Sequence, residues 1–429
     1  MPRLSIAVIG AGPAGATAAR LLASKGARVT LLEARRLPRP KLCGGGLTPK
    51  AQRLVPPSAL DTVERRVHRV ELRGGHFPAV HLDVSEAEIA MVERGPFDFA
   101  LTQAAAAAGA EVRDGERVEA VSEDADGVTL TTRTGRLRVD AVVAADGDPS
   151  GIARRLGLGG PATRHALAIE VDLSLASDLP PDTAVLAFGV RGGYAWYFPK
   201  GDHANVGTGS YRATGPAELK EVLAGFARSV GLDAGRGKIA GHWIPQGLRR
   251  GPLASPRVLL AGDAAATADP LFGEGIAYAI VSGITAAQAV GDWAAGLAAD
   301  LRAYDGRLRA LLGPGLRRLG LGAIVAEPSM TLTMGAVRLS HRIRETAVDA
   351  IAGRRYPFAI DARCDLACAC GIDHERLTPE NCVEPCLHRA HGCTDAAGCR
   401  GKSDGPAGFR QARWTTGRTP SLDRDAMVA

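Results

Sequence analysis

Aromatic residues are scarce in this chain: Phe, Trp and Tyr together make up 4% of its 429 residues. A chain so poor in rings has little to stack on bases, and none of its basic stretches is interleaved with aromatics. A nucleic-acid interface is therefore disfavoured despite the net charge of +6. Arginine pairs recur at 35–36, 65–66, 154–155, 249–250, 317–318 and 354–355. Their scatter reads as solvated surface, with contact to an anionic membrane surface as the other reading. Long apolar runs are missing as well, and none approaches the roughly 18 uncharged residues that span a bilayer. The chain opens directly on an apolar strand, without the charged-then-apolar layout of a leader. The expectation is a cytoplasmic protein, peripheral to a membrane at most. Cysteine is nearly absent from the body: of eight, only Cys43 precedes residue 364. That excludes a disulfide-stapled body.

Glycine is plentiful and patterned. Ser5 to Ile9 is a short β-branched run that ends in Gly10-Ala11-Gly12-Pro13-Ala14-Gly15, and small helix-favouring residues continue to Ala23. Gly26 breaks the helix, and a second apolar strand from Ala27 closes on Glu33. This is a βαβ unit with a GxGxxG turn. Gly10 permits the turn, Gly12 lets backbone approach a pyrophosphate, and Gly15 lets helix pack on strand. The helix N-terminus favours phosphate, and Glu33 stands where a ribose hydroxyl would donate. The unit predicts a dinucleotide without separating NAD from FAD.

Two further strand ends repeat the theme. Ala141–Ala145 runs into Asp146-Gly147-Asp148-Pro149-Ser150-Gly151, and Arg257–Ala261 runs into Gly262-Asp263. Asp269-Pro-Leu-Phe-Gly-Glu-Gly275 then opens a long apolar helix from Ile276. Glycines at that N-terminus bring free N–H groups and positive dipole towards a ligand. Cys43-Gly44-Gly45-Gly46 puts three glycines beside the lone body thiol, a pattern for backbone passing close to something. Arg94 precedes an alanine-rich helix, where either a phosphate partner or a surface role is open. Tyr194, Trp196, Tyr197 and Phe198 lie within five positions, and strand alternation puts Tyr194, Trp196 and Phe198 on one face. That face is either an aromatic core or the wall of an apolar pocket.

In this order and together, GAGPAG with Glu33, ADGDPSGIAR and LLAGDAAATADPLFGEGI resemble the FAD-binding fold of the glutathione-reductase and p-hydroxybenzoate-hydroxylase class. The CGGG loop, and YAWYFPK followed by Asn205-Val206-Gly207, look like the geranylgeranyl reductase family, flavoproteins that saturate isoprenoid double bonds. The resemblance covers residues 4 to 350. It implies that Gly10, Gly12, Ala14, Gly15 and Glu33 hold the ADP half of FAD, and that Cys43, Gly44 and Gly46 lie near the isoalloxazine. It implies that Arg94 and the backbone of Val118 meet the adenosine–phosphate part. Asp263 would sit toward the ribityl–pyrophosphate, and Gly275-Ile276 at the flavin ring edge. Cys43, Tyr194 and Trp196 are the candidate catalytic and substrate-lining residues, with Cys43 either tuning or protonating near the flavin or simply a small buried residue. The implied partner is a prenylated lipid or isoprenoid, and the electron donor a nicotinamide, NAD(P)H, or a ferredoxin.

The expected fold is α/β: a discontinuous Rossmann-type FAD-binding domain, 1–75 with 95–162 and 246–300. An antiparallel-sheet substrate domain, 76–94 with 163–245, is inserted, and C-terminal helices fill 301–358. Residues 359–429 form a Cys-rich tail whose spacing matches neither a zinc ribbon nor a ferredoxin run, read as largely disordered or metal-binding. Two rivals share the motifs: an FAD-dependent monooxygenase or halogenase, and a non-catalytic flavin or metal sensor.

Overall fold

The computed structural model describes residues 4–74, 78–175, 178–213, 215–326 and 330–352. The Cys-rich tail lies outside the described residues.

Continuous apolar runs make the central layer. Val258–Leu260, Ala141–Ala144, Ser5–Ile9, Arg28–Glu33 and Glu111–Asp114 pair in that order as a wholly parallel sheet. Ile6, Ala7, Val8, Val142, Val143 and Leu259 are fully buried, as in a sheet covered on both faces. Helices Pro13–Ser24 and Ile276–Ala294 pack against each other beside it. Their approach is close because Gly283 meets the Ala14 carbonyl, where a Cβ would stand 2.3 Å from the oxygen. The long helix stops at Gly296, whose φ is +73°. Gly10, Glu33, Ala145 and Gly262 all emerge at the carboxyl ends of the strands, the end at which α/β sheets bind ligands.

The second layer is a seven-stranded sheet in the order Ala240–Arg249, Ala162–Ser174, His203–Ser210, Gly193–Pro199, Thr183–Phe188, Arg69–Arg73, Val80–Asp83. All pairings are antiparallel except that of Arg69–Arg73 with Thr183–Phe188. Arg69–Arg73 therefore belongs to this sheet although it precedes the expected boundary at 75/76. Ile89–Val92, expected with the substrate domain, pairs instead with Gly46–Leu47 and Val63–Val67. One face of the large sheet is sealed by helix Pro216–Ser229, whose Leu219, Leu223 and Phe226 pack with Tyr197, Val185 and Val206. The other face carries Val70, Leu72, Leu186 and Trp196 and receives Met334 and Val337 from helix Met330–Leu339. The last described C-terminal helices are Met330–Leu339 and His341–Ala352. Ser340 separates the two and offers its Oγ to the Ile343 N–H at 3.4 Å, a capping position that starts a new helix. No described helix is long and apolar enough to cross a membrane.

Candidate active site

The glycine turn divides its labour. Gly10 has φ +98°, and a Cβ there would lie 2.2 Å from the Ala145 carbonyl oxygen. At Gly15 a Cβ would lie 1.9 Å from the Gly10 oxygen. Both glycines are required by packing of strand, turn and helix. Gly12 differs: nothing but an Arg39 nitrogen, at 3.8 Å, approaches its hypothetical Cβ, so it faces open cavity. Glu33 is 6% exposed. Its Oε2 accepts from Ala11 N–H at 3.0 Å and its Oε1 from Arg35 N–H at 3.0 Å, while Arg39 Nε stands 3.2 Å away. A carboxylate has about four lone-pair sites, so it keeps capacity for a hydroxyl. Arg39 also reaches Asp98 at 3.1 Å, and Asp98 holds buried Arg94 through two bonds of 2.9 and 3.0 Å. Burial opposes the charge on Arg94 and Asp98 restores it, so the guanidinium stays charged.

A cavity of about 1070 Å³ begins at this turn and runs to the large sheet. One end is lined by Glu33, Arg35 and the Glu116–Glu119 segment, the other by Leu186, Trp196, Phe198 and Ile351. Asp263 lines the middle and pairs with Lys41 at 3.6 Å. Gly275 and Ile276 place the N-terminus of the 19-residue helix on the cavity. The turn before that helix is tied by Asp269, which is wholly buried and accepts N–H bonds from Leu271, Phe272 and Glu274 at 2.8, 2.8 and 3.0 Å. Burial and the nearby Glu274 push the Asp269 carboxyl up to about 6. Glu274 in turn takes the Thr48 hydroxyl at 2.7 Å and the Lys50 ammonium at 2.5 Å.

The far wall is the strand Gly193–Pro199. Tyr194, Trp196 and Phe198 share its cavity face, with centroids 5.8 and 6.2 Å apart along the row. Tyr197 points the other way into the core beneath. The paired strand makes room for the rings: Gly207 lies opposite Trp196, and a Cβ there would stand 2.1 Å from the indole. Trp196 Nε1 donates to Asn205 at 2.8 Å, and Tyr194 donates its hydroxyl proton to the Phe272 carbonyl at 2.5 Å. Gly44 packs on Phe198, which a Cβ would meet at 2.7 Å, and Gly45, with φ +77°, runs against the Val92 carbonyl. The glycine loop is therefore clamped between the turn and the aromatic wall. It carries Cys43, whose side chain meets Arg94 and whose backbone N–H bonds Glu170.

A family model described as FAD binding domain matches residues 3–304. A geranylgeranyl diphosphate reductase of Synechocystis sp. is 31% identical over 313 residues, covering 67% of this chain and 75% of that protein. A menaquinone reductase of Mycolicibacterium smegmatis is 33% identical over 334 residues, covering 67% and 76%. The chain belongs to the geranylgeranyl reductase family of FAD-dependent oxidoreductases. A solved structure, a geranylgeranyl bacteriochlorophyll reductase-like protein of Thermoplasma acidophilum, shares the fold with a TM-score of 0.71. At 24% identity it covers 85% of this chain and all but 1% of its own.

The cavity fits the FAD of this family on its own evidence. Gly12 leaves a cradle that a Cβ would occupy, and His242 presents an Nδ1 in the cavity wall that has no hydrogen-bond partner. Of the residues expected at the cofactor, Gly10, Gly12, Ala14, Glu33, Cys43, Gly44, Gly46, Arg94, Val118, Asp263, Gly275 and Ile276 line the cavity. Gly15 does not, because it lies beneath the turn. Cys43 and Arg94, expected at opposite parts of the cofactor, are neighbours. Tyr194 and Trp196 line the cavity and are also core residues, so the two readings of the aromatic face both hold. Sequence reasoning passed over Glu170, Asp172 and His242. The signal was present in Glu170-Val-Asp172, two same-face carboxylates in the otherwise apolar run from Ala166 to Leu173. Among the described residues no group of His, Cys, Asp and Glu forms a metal site.

Proposed function

We propose that this flavoenzyme saturates C=C bonds of a prenyl, geranylgeranyl-type lipid or side chain. The observation that carries the reading is the continuity of the cavity, from a dinucleotide cradle at one end to an aromatic and aliphatic wall at the other. When bound, the reduced flavin supplies a hydride equivalent. The chain's own residues do the rest. Gly10, Gly12 and Ala14 at the turn would bring backbone N–H groups to the pyrophosphate, with Gly15 supporting them from below. Glu33 would hold the ribose, and Arg94 and Val118 the adenosine–phosphate part. Asp263 would hold the ribityl–pyrophosphate region. Cys43, Gly44 and Gly46 would lie along the ring system, with Gly275 and Ile276 at its edge. Tyr194 and Trp196 would line the prenyl channel and exclude water. Leu321, Val325 and Leu339 are well exposed beside Arg317, Arg318 and Arg338, which supports a peripheral contact with the anionic membrane holding such a substrate. A nicotinamide or a ferredoxin would supply the electrons.

The deciding experiment reduces the bound flavin without oxygen, then offers a polyprenyl lipid or oxygen with a small aromatic. Reoxidation by the lipid with loss of one double bond is the expected result. Reoxidation by oxygen alone, with oxygenation or halogenation of the aromatic, would establish the rival chemistry on the same fold. A second measurement tests the cofactor half. Asp263→Ala removes a charge-assisted partner worth about 1.5–3 kcal/mol. Flavin affinity should fall about tenfold to a hundredfold by equilibrium titration.

A further inference from the structure

Saturating a double bond consumes a proton as well as a hydride, so the cavity must contain a proton donor. Five of the carboxylates on its wall are committed to cations: Glu33 to Arg39, Glu93 to Lys200, Asp148 to Arg249, Glu274 to Lys50 and Asp263 to Lys41. Asp172 accepts from Asn205 at 2.9 Å. Asp146, Glu116 and Glu119 also line the cavity without an ion pair among the described residues, but they lie at its dinucleotide end, Asp146 beside the glycine turn. Glu170 lies at the aromatic wall. It is 4% exposed, lines the cavity, and forms no ion pair among the described residues. Its hydrogen-bond partner is the Cys43 backbone N–H, at the start of the glycine loop.

Sheet register puts this carboxyl beside the aromatic wall. Glu170 pairs with Gly207, and Gly207 pairs with Trp196. The three form one row on the cavity face, with a glycine in the middle. Strands lie about 4.8 Å apart, so the Glu170 and Trp196 backbones are only about 10 Å apart, with no side chain between. The indole lies over Gly207, which closes the gap further. Cys43, the other candidate, is less suited. Its side chain lies against Arg94, off the Glu170–Gly207–Trp196 row.

We propose that Glu170 is the proton donor of the reduction, acting from the Cys43 end of the aromatic wall. The inference rests on the prenyl-reductase reading. With FAD held in the cavity, the reduced flavin would supply a hydride equivalent to one alkene carbon and lose two electrons. The π pair takes the Glu170 proton at the other carbon, leaving a carboxylate that water reprotonates. A nicotinamide or a ferredoxin would restore the flavin.

The groups facing Glu170 are Cys43 on the loop, Lys200 at the end of the aromatic strand, Asp172 on its own strand and Glu93 before the alanine-rich helix. His203 on the neighbouring strand bonds Glu93, and His242 lies on the edge strand Ala240–Arg249. Burial raises the Glu170 carboxyl to about 7, with the Cys43 N–H and Lys200 pulling down and Asp172 and Glu93 pushing up. The acid form therefore predominates below neutrality, and turnover should fall as pH rises through about 7.

The test is Glu170→Gln, which keeps shape and removes the acid, with Glu170→Asp as the conservative partner. Geranylgeranyl diphosphate and a menaquinone are the probes. Flavin content should be unchanged in both variants. Turnover of the Gln variant should fall at least a hundredfold and lose its neutral limb, while Asp should recover part of it. Asp269, pushed up to about 6, contributes a titrating carbonyl band to both proteins, so the unsubstituted-minus-Gln infrared difference should show one further protonated-carboxyl band titrating near pH 7. Reduction of a probe by the unsubstituted protein with undiminished turnover in the Gln variant would overturn the role of Glu170 alone, as would a difference spectrum with no such band. Failure of the unsubstituted protein to reduce either probe would overturn both readings.

Discussion

Gly15→Val should give a destabilised protein that no longer retains flavin. A Cβ at this position would stand 1.9 Å from the Gly10 oxygen and 3.3 Å from the Ala145 Cβ, both at the carboxyl ends of the central parallel strands. Neither neighbour is a flexible side-chain tip, so the helix Pro13–Ser24 must back away from the strand. Overpacking of this kind costs about 1–3 kcal/mol and occasionally more. The same displacement carries the helix N-terminus, with its free N–H groups and dipole, away from the phosphates. Gly12→Ala is the informative partner. Its Cβ would meet nothing closer than 3.8 Å and its φ of −79° suits alanine, so the poorer N-cap and the stiffer unfolded chain should offset one another and change apo stability by less than about 1 kcal/mol. Flavin affinity should nevertheless fall at least tenfold, since the methyl group would stand in the cradle. Thermal melts of the apo forms and flavin titration separate the two effects. A Gly12→Ala protein that binds flavin normally would contradict the assignment of the cradle.

The contrast between these glycines shows what could be read from the chain. The turn, the strand–helix–strand order and the one-sided aromatic row were legible because each is written over a few consecutive residues. Period and glycine spacing decide them locally. What escaped was set by pairing between distant segments. Arg69–Arg73 joins the large sheet only through parallel pairing with Thr183–Phe188, more than a hundred residues on, so no boundary signal near 75 could reveal it. Glu170 and Asp172 mark one face of their strand, but nothing local says what that face meets. The place of Glu170 beside Trp196 exists only once the strand His203–Ser210 inserts Gly207 between them. Likewise Cys43 and Arg94 lie fifty residues apart in the chain, and folding makes them neighbours.

That same register predicts how substrate use should respond to the aromatic wall. Trp196→Ala should leave flavin bound and reducible while weakening the longest prenyl substrates. The indole is 6% exposed, packed between Tyr194 and Phe198, and held by its bond to Asn205. Its removal deprives a passing isoprenoid of an apolar wall, at about 25 cal/mol per Å² of lost burial. An indole 6% exposed offers roughly 15 Å², so with the matching area on the prenyl chain the loss is about 0.8 kcal/mol, or about fourfold in affinity. The loss should grow with chain length until the substrate no longer reaches the wall. Gly207→Ala approaches the same wall from behind, since its methyl group would stand 2.1 Å from the indole and must push the ring into the channel. The two variants should therefore fail differently. Trp196→Ala leaves a roomier channel, in which a bulkier prenyl chain recovers part of the lost rate. Gly207→Ala leaves a narrowed one, in which short chains are favoured and long ones rejected. A series of prenyl alcohols of increasing length, scored by KM and kcat for each variant, distinguishes these outcomes. Equal losses at every length would mean that the wall stiffens the fold without touching the substrate.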